Sequence, residues 1–318
     1  MVHRLCIVGL GLMGGAVGLA VRKAGAATRV TGVADQPATI EKAKAIGAVD
    51  EATLDLAAAV READFIVLAT PVRFIPEIAR AVLLHVRDDA VLTDIGSSKV
   101  SVVAAVDDLI AKSKKPVFFV GSHPISGSEK SGIECAGEVV LAGATCAITP
   151  TTTTNNDAYR RVEEFWKALG MKTVRLSPDD HDATLARSSH LPHLISYLLL
   201  NAQTPRSLQL SGPGLRDTTR LAGSDPALWV DIVAQNAGEL TRVFKDFGQE
   251  IVALAEELEA LTRPGTPGAE SARERLFRTM ADAHTRYEAH YLGAGKRRTK
   301  AEVSGDEDGS EEEDEKLE

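Results

Sequence analysis

Three groups of residues have types and spacings suited to chemistry. The first is Gly9-Leu10-Gly11-Leu12-Met13-Gly14, a G-x-G-x-x-G string that follows an apolar run and opens an amphipathic one. Glycine at 9 permits a tight turn, glycine at 11 lets backbone approach a pyrophosphate, and glycine at 14 lets helix and strand pack closely. A helix starting at Leu12-Met13 then offers unpaired N–H groups and a positive dipole end to phosphates. Asp35 ends the next apolar run, 21 residues after Gly14. Its carboxylate should accept hydrogen bonds from ribose hydroxyls and repel a 2′-phosphate, and Gln36-Pro37 supplies no arginine to bind one. The string predicts a dinucleotide site that takes NAD in preference to NADP. Thr70-Pro71, closing a later apolar run, should flank it.

The second group lies in two polar segments, Asp94-Ile95-Gly96-Ser97-Ser98-Lys99 and Gly121-Ser122-His123-Pro124-Ile125-Ser126-Gly127-Ser128-Glu129-Lys130-Ser131-Gly132. Each follows an expected strand, and loops at the carboxyl edge of a parallel sheet carry function more often than structure. Lys99 and Lys130 read as solvated side chains. The third group is Ser189-His190-Leu191-Pro192-His193 with the run Gly214 to Ala222. His190 and His193 share roughly one helix face and would make two metal ligands, but no third ligand stands at a usual spacing, so no metal is expected.

The elements that must hold these groups follow from hydrophobic periodicity. Expected strands are 5–9, 29–34, 65–69, 90–95, 117–120, 144–149 and 173–176. Between them stand expected helices at 12–24, 38–46, 54–62, 74–85, 100–113 and 157–169. Strands apolar throughout, alternating with amphipathic helices, indicate a parallel sheet covered on both faces. From Ser177 the pattern is helical only: 180–201, 226–261 (with a break) and 269–292. The expected organisation is an α/β Rossmann-like dinucleotide-binding domain over 1–176, then an all-α domain over 177–293. Residues 294–318 are expected to form a disordered charged tail.

Composition agrees with that division. The chain has 318 residues and a net charge of −9. Residues 301–318 hold ten acids against Lys316, so this segment carries the whole excess. So acidic a run cannot bury enough surface to offset its ordering entropy. The remaining body is charge-neutral, unlike a nucleic-acid binder. Aromatic residues make up 4 %, too few for a base-stacking surface. Cys6, Cys135 and Cys146 form no disulfide framework and suit a reducing cytoplasm. The apolar run 5–21 contains five glycines, which argues against a signal helix, and no later run is long enough for a membrane span.

Read together, the fingerprint, the D-x-G-S-x-K and H-P-I-x-G-S-E-K-S-G segments, S-H-L-P-H, and R-D-T-T-R-x-A-G-S-D-P-x-x-W through Trp229 resemble the prephenate/arogenate dehydrogenase family over about residues 5–290. The resemblance implies NAD-dependent oxidative decarboxylation of prephenate or arogenate, a cytoplasmic enzyme of tyrosine biosynthesis, and a homodimer formed by the helical domain. It assigns His123 as the acceptor of the ring hydroxyl's hydrogen bond and Ser97 as its support. It assigns Arg220 as the clamp on a substrate carboxylate, although Arg216 is a rival on residue type alone. It places His193 and Ser189 near substrate and nicotinamide, and makes Glu129 and Asp217 an ionic gate with the arginine. Two other readings compete. One is another Rossmann-plus-helical enzyme, such as a β-hydroxyacid dehydrogenase or imino-acid reductase. The other is a non-catalytic NAD sensor, since fold alone does not fix activity.

Overall fold

A computed structural model of the protein describes residues 2–126 and 130–293. Its first unit shows how the glycines shape the chain. Strand β1 (Val2–Val8) is buried from Leu5 to Val8. Gly9 then turns at φ 103°, a left-handed conformation that side chains resist. Helix α1 (Leu12–Ala24) follows, and Gly25 closes it in the αL conformation with its N–H directed at the Arg22 and Val21 carbonyls. Strand β2 (Ala27–Val33) completes the crossover and pairs parallel to β1.

The alternation continues with α2 (Pro37–Ala45), β3 (Glu51–Thr53), α3 (Leu56–Val60), β4 (Phe65–Leu68), α4 (Ile75–His85), β5 (Val91–Asp94), α5 (Val100–Ser113) and β6 (Phe118–Ile125). Next come β7 (Thr145–Thr149), α6 (Asn156–Ala168) and β8 (Lys172–Arg175). The eight strands form one sheet in the order β3-β2-β1-β4-β5-β6-β7-β8. One buried apolar cluster joins Val17 and Val21 of α1 to Phe165 and Trp166 of α6, and a second joins Ile75 and Val82 of α4 to Val102 and Val106 of α5. The order reverses beside β1, where β2 lies on one side and β4 on the other. In open α/β sheets that crevice at the strand carboxyl ends binds ligands.

The chain is helical from Pro178: α7 (Pro178–Leu185), α8 (Leu191–Asn201), α9 (Pro205–Gln209), α10 (Pro213–Thr219), α11 (Pro226–Gln235), α12 (Ala237–Leu261) and α13 (Pro267–Tyr287). Ser177 caps α7 by accepting from the Asp180 N–H, and Pro178 occupies the first turn. By compactness the chain divides into units 1–244 and 245–318. The change to all-helical structure comes earlier, near residue 177, because α7 and α11 pack within the first unit. In the second unit Thr266 caps α13 at the Ala269 N–H, and Arg275 grips Glu257 with two hydrogen bonds of 2.5 and 2.7 Å.

Four local expectations need correction. The sheet is not wholly parallel: β6 and β7 run antiparallel, with no helical crossover of the βαβ kind placing β7 parallel to its neighbour. Strand β6 runs through His123 to Ile125 instead of stopping at Val120, so His123 sits on a strand. The helix expected over 180–201 is split by a π-helical turn at Ala186–His190. Pro192 has no N–H and its ring would crowd the preceding turn, which the wider π turn relieves. The short elements β3, α9 and α10 lie where no periodic pattern announced them. The charged tail lies outside the described residues.

Candidate active site

The fingerprint is built as its spacing implies. A methyl group added at Gly14 would lie 1.9 Å from the Gly9 carbonyl oxygen, so helix and loop touch there and only glycine fits. A methyl at Gly9 would stand 2.6 Å from the Ala69 carbonyl oxygen and 3.0 Å from the Thr70 nitrogen. That close approach sets Thr70-Pro71 beside the glycine turn at the end of β4. A methyl at Gly11 would meet nothing within 4 Å. Gly11 therefore faces open space, and no side chain caps α1 above it. The Thr70 hydroxyl is buried with no hydrogen-bond partner among the described residues. Leu12 and Met13 form the first turn of α1, with its unpaired N–H groups. Asp35 is exposed just past β2. An uncapped helix end, an orphaned hydroxyl and a glycine open to solvent suit a dinucleotide phosphate.

Two strands over, β5 and β6 carry the polar core. Asp94 ends β5, and its carboxylate accepts from the Gly96 N–H at 2.8 Å, from the Ser122 N–H at 3.1 Å and from the Lys99 ammonium. Lys99 is fully buried and also donates to the Ser122 carbonyl at 2.9 Å. It is therefore not a solvated lysine. Its stem turns inward and pins the start of α5 to β6, next to His123. Ser122 is tied as tightly: its hydroxyl donates to the Asp94 carbonyl at 2.6 Å and accepts from the Trp166 indole at 2.9 Å. Burial makes these bonds costly to lose, so the segment holding His123 is rigid.

His123 itself is half-buried in β6, opposite Ala147 of β7. Its Nδ1 lies 2.9 Å from Nε2 of His181, and His181 Nδ1 lies 2.7 Å from Asp182 Oδ1. The Asp182 carboxylate also accepts from the Lys99 N–H at 2.8 Å and the Val100 N–H at 2.9 Å, capping α5 from α7. Burial, with the charge of Lys99 and the neighbouring His181 and His190, holds the His123 imidazole well below its ordinary pKa. It is neutral at physiological pH and able to accept a proton or hydrogen bond.

A second cluster comes from the helices. His193 stacks on Trp229, with ring centroids 3.5 Å apart and planes 21° apart. Its Nδ1 donates to the Ser189 carbonyl at 3.0 Å, which leaves Nε2 as an acceptor. Burial, with the charge of Arg220, lowers its pKa. Arg220 opens the turn after α10 and is exposed. Buried His190 abuts the edge of Trp229 and meets the Asn236 amide at 3.2 Å. Burial pushes its pKa down to about 4.

Of the residues singled out from sequence, His123, His193, Ser189 and Arg220 line these connected groups. Ser97 sits half-buried in the loop after β5 and makes no hydrogen bond to His123. Asp217 is exposed and pairs with its neighbour Arg216 at 3.4 Å. Glu129 lies outside the described residues. Sequence reading missed His181, Asp182, Asn236 and Trp166. Asp182 lies past the acidic first turn of α7, and only the fold aims it at α5. Among the described residues no group of three or more His, Cys, Asp or Glu could hold a metal ion.

Comparison with known proteins agrees with this geometry. Residues 17–175 match the family model "Prephenate dehydrogenase, nucleotide-binding domain" and residues 177–282 match "Prephenate dehydrogenase, dimerization domain". The chain is 31 % identical over 262 residues to prephenate dehydrogenase of Bacillus subtilis, covering 79 % of this chain and 69 % of the relative. It is 32 % identical over 251 residues to cyclohexadienyl dehydrogenase of Zymomonas mobilis, covering 76 % of this chain and 84 % of the relative. A crystal structure of prephenate dehydrogenase from A. aeolicus, in complex with hydroxyphenyl propionate and NAD+, superposes with a TM-score of 0.75 at 30 % identity, covering 88 % of this chain and 98 % of that one. A fold with the dinucleotide crevice beside a buried histidine network, and matches across both halves, place this chain in the prephenate dehydrogenase family.

Proposed function

We propose that the chain oxidatively decarboxylates prephenate to 4-hydroxyphenylpyruvate, or arogenate to tyrosine, with NAD. The observation that carries the reading is the neutral, hydrogen-bonded His123 fixed on β6 at the carboxyl edge of the sheet that also carries the glycine turn. In this reaction the ring carbon bearing the hydroxyl gives up hydride, and the ring carboxylate leaves as carbon dioxide. The bound nicotinamide supplies the hydride acceptor. Bond counting shows that no net proton is released, because the hydroxyl's hydrogen remains on the phenol of the product. The protein's task is then to polarise the hydroxyl while carbonyl character develops, and a neutral imidazole held in place suffices. Aromatisation supplies much of the driving force, so positioning matters most.

His123 takes the part of hydrogen-bond acceptor, and Ser97 of the β5–α5 loop supports the same hydroxyl. Arg220 binds a substrate carboxylate through its guanidinium fork. Stacking on Trp229 locks the His193 ring, whose free Nε2 is available to substrate or cofactor beside Ser189. Glu129 and Asp217 would form an ionic gate with Arg220. Gly9, Gly11, Leu12, Met13 and Gly14 hold the pyrophosphate, Thr70 and Pro71 flank it, and Asp35 favours NAD over NADP. Large apolar side chains exposed on α12 and α13, among them Ile251, Leu258, Phe277 and Met280, suit a homodimer built through the helical region. Steady-state kinetics with prephenate and arogenate, each against NAD and NADP, tests the assignment. Turnover is expected with at least one substrate and with a higher kcat/KM for NAD. Turnover of neither substrate would refute the activity, and a preference for NADP would refute the role of Asp35.

A further inference from the structure

The contact between His123 and His181 has a direction that follows from the group at its far end. An ionised carboxylate can only accept hydrogen bonds. Asp182 is 2 % exposed and accepts from two backbone N–H groups besides His181. Burial works to raise its carboxyl, but the His181 hydrogen bond and the Val100 and Lys99 amides prevail and hold it below the ordinary carboxylate value. At 2.7 Å from that carboxylate, His181 Nδ1 must carry a proton. His181 is fully buried, and burial, with the charge of Lys99 nearby, outweighs the pull of Asp182 and lowers its pKa. With its single proton on Nδ1, His181 presents a bare Nε2. The 2.9 Å contact to His123 then requires His123 to donate through Nδ1. That leaves His123 Nε2, which has no hydrogen-bond partner among the described residues, with its lone pair free.

We propose that His181 and Asp182 are positioning residues that hold His123 in its Nδ1-protonated tautomer, making Nε2 an obligate acceptor. This rests on the reading of His123 as acceptor for the substrate hydroxyl. The arrangement follows the orienting logic of an aspartate behind a histidine base, with a second imidazole inserted between them. The chain ends on the backbone amides of Lys99 and Val100, so it orients the ring and does not conduct a proton to solvent. Asn236 fixes the far side: its amide donates to the Asp182 carbonyl at 2.8 Å. The opposite tautomer would set two lone pairs against each other at Asp182, or demand a charged His181 beside buried Lys99.

Imidazole 15N NMR of the histidine-labelled full-length protein tests the inference without any turnover. His123, assigned by the loss of its signals in His123→Asn, is expected to show a protonated Nδ1 and a bare Nε2 at neutral pH. A protonated Nε2 in the wild-type protein would overturn the proposal even if the enzyme turned over prephenate. Activity supplies the second arm. His181→Gln keeps a carbonyl acceptor for Nδ1 and should hold kcat within about tenfold. His181→Leu offers none and should lose about 100-fold in kcat, with KM for NAD unchanged and His123 moving to the other tautomer. Equal losses in the two variants at equal thermal stability would mean that His181 merely fills space, and undiminished kcat in His181→Leu would also overturn the proposal. If neither variant folds, the wild-type spectrum still decides. Inactivity of the wild-type protein toward both substrates would refute the functional reading while leaving the tautomer assignment standing.

Discussion

At the scale of single residues, the site is held by charges taken out of water. The Lys99–Asp94 pair is fully buried. Each partner was costly to desolvate, so removing one leaves the other uncompensated. Lys99→Met should therefore lower unfolding stability by about 3–5 kcal/mol, as read from urea denaturation. A loss below about 1 kcal/mol would show that water reaches Asp94. The same burial predicts the pH response of activity. The useful form of His123 is neutral, and its pKa is held well below 6.5 by burial and by Lys99, His181 and His190. As pH falls through 6.5 an ordinary histidine would gain a proton and lose its acceptor, whereas this one stays neutral. The acid limb of kcat against pH should accordingly lie well below 6.5. A limb at or above 6.5 would mean that solvent reaches the ring.

At the scale of elements, the fingerprint separates two glycines that look alike in sequence. Gly14 is pressed against the Gly9 carbonyl, whereas Gly11 faces open space. Gly14→Ala should force helix and strand apart and lower the melting temperature. Gly11→Ala should leave melting unchanged in the absence of ligand and raise KM for NAD several-fold, because its methyl occupies the approach of the pyrophosphate. An unchanged KM would place the phosphates elsewhere. The β1–α1–β2 unit was legible from sequence because all its determinants are local: apolar runs, glycine spacing and an acid at the next strand end. The histidine relay was not. Ser177-Pro178-Asp179-Asp180 marks a helix start, which α7 bears out, but the partner of the following Asp182 is the start of α5, 83 residues away along the chain. Lys99 misled for the same reason, since its burial depends on partners from β5 and β6. The antiparallel turn-back of β7 also escaped, because a strand buried on both faces shows the same apolar run whichever way it points.

At the scale of the whole molecule, expectation and structure divide the chain differently. Secondary structure changes character near residue 177 and the two family models meet there, whereas the compact units part at Phe244–Lys245. The early helices are tied to the sheet unit through Asp182, through Arg73–Asp231 at 3.0 Å and through Ser101–Gln235. The remaining helices carry exposed apolar side chains, the surface on which the proposed homodimer rests. Replacing Ile251 and Leu258 together by glutamate should convert a dimer to a monomer in sedimentation analysis. An unchanged sedimentation coefficient would move the interface away from α12. Within one copy, the catalytic claim rests on a single ring. The most direct test is the rate of NADH formation by His123→Asn at saturating prephenate and NAD, with NAD affinity measured alongside. The expected result is a loss of about 10²–10⁴-fold at unchanged NAD affinity and native-like melting. Undiminished turnover by that variant would contradict it.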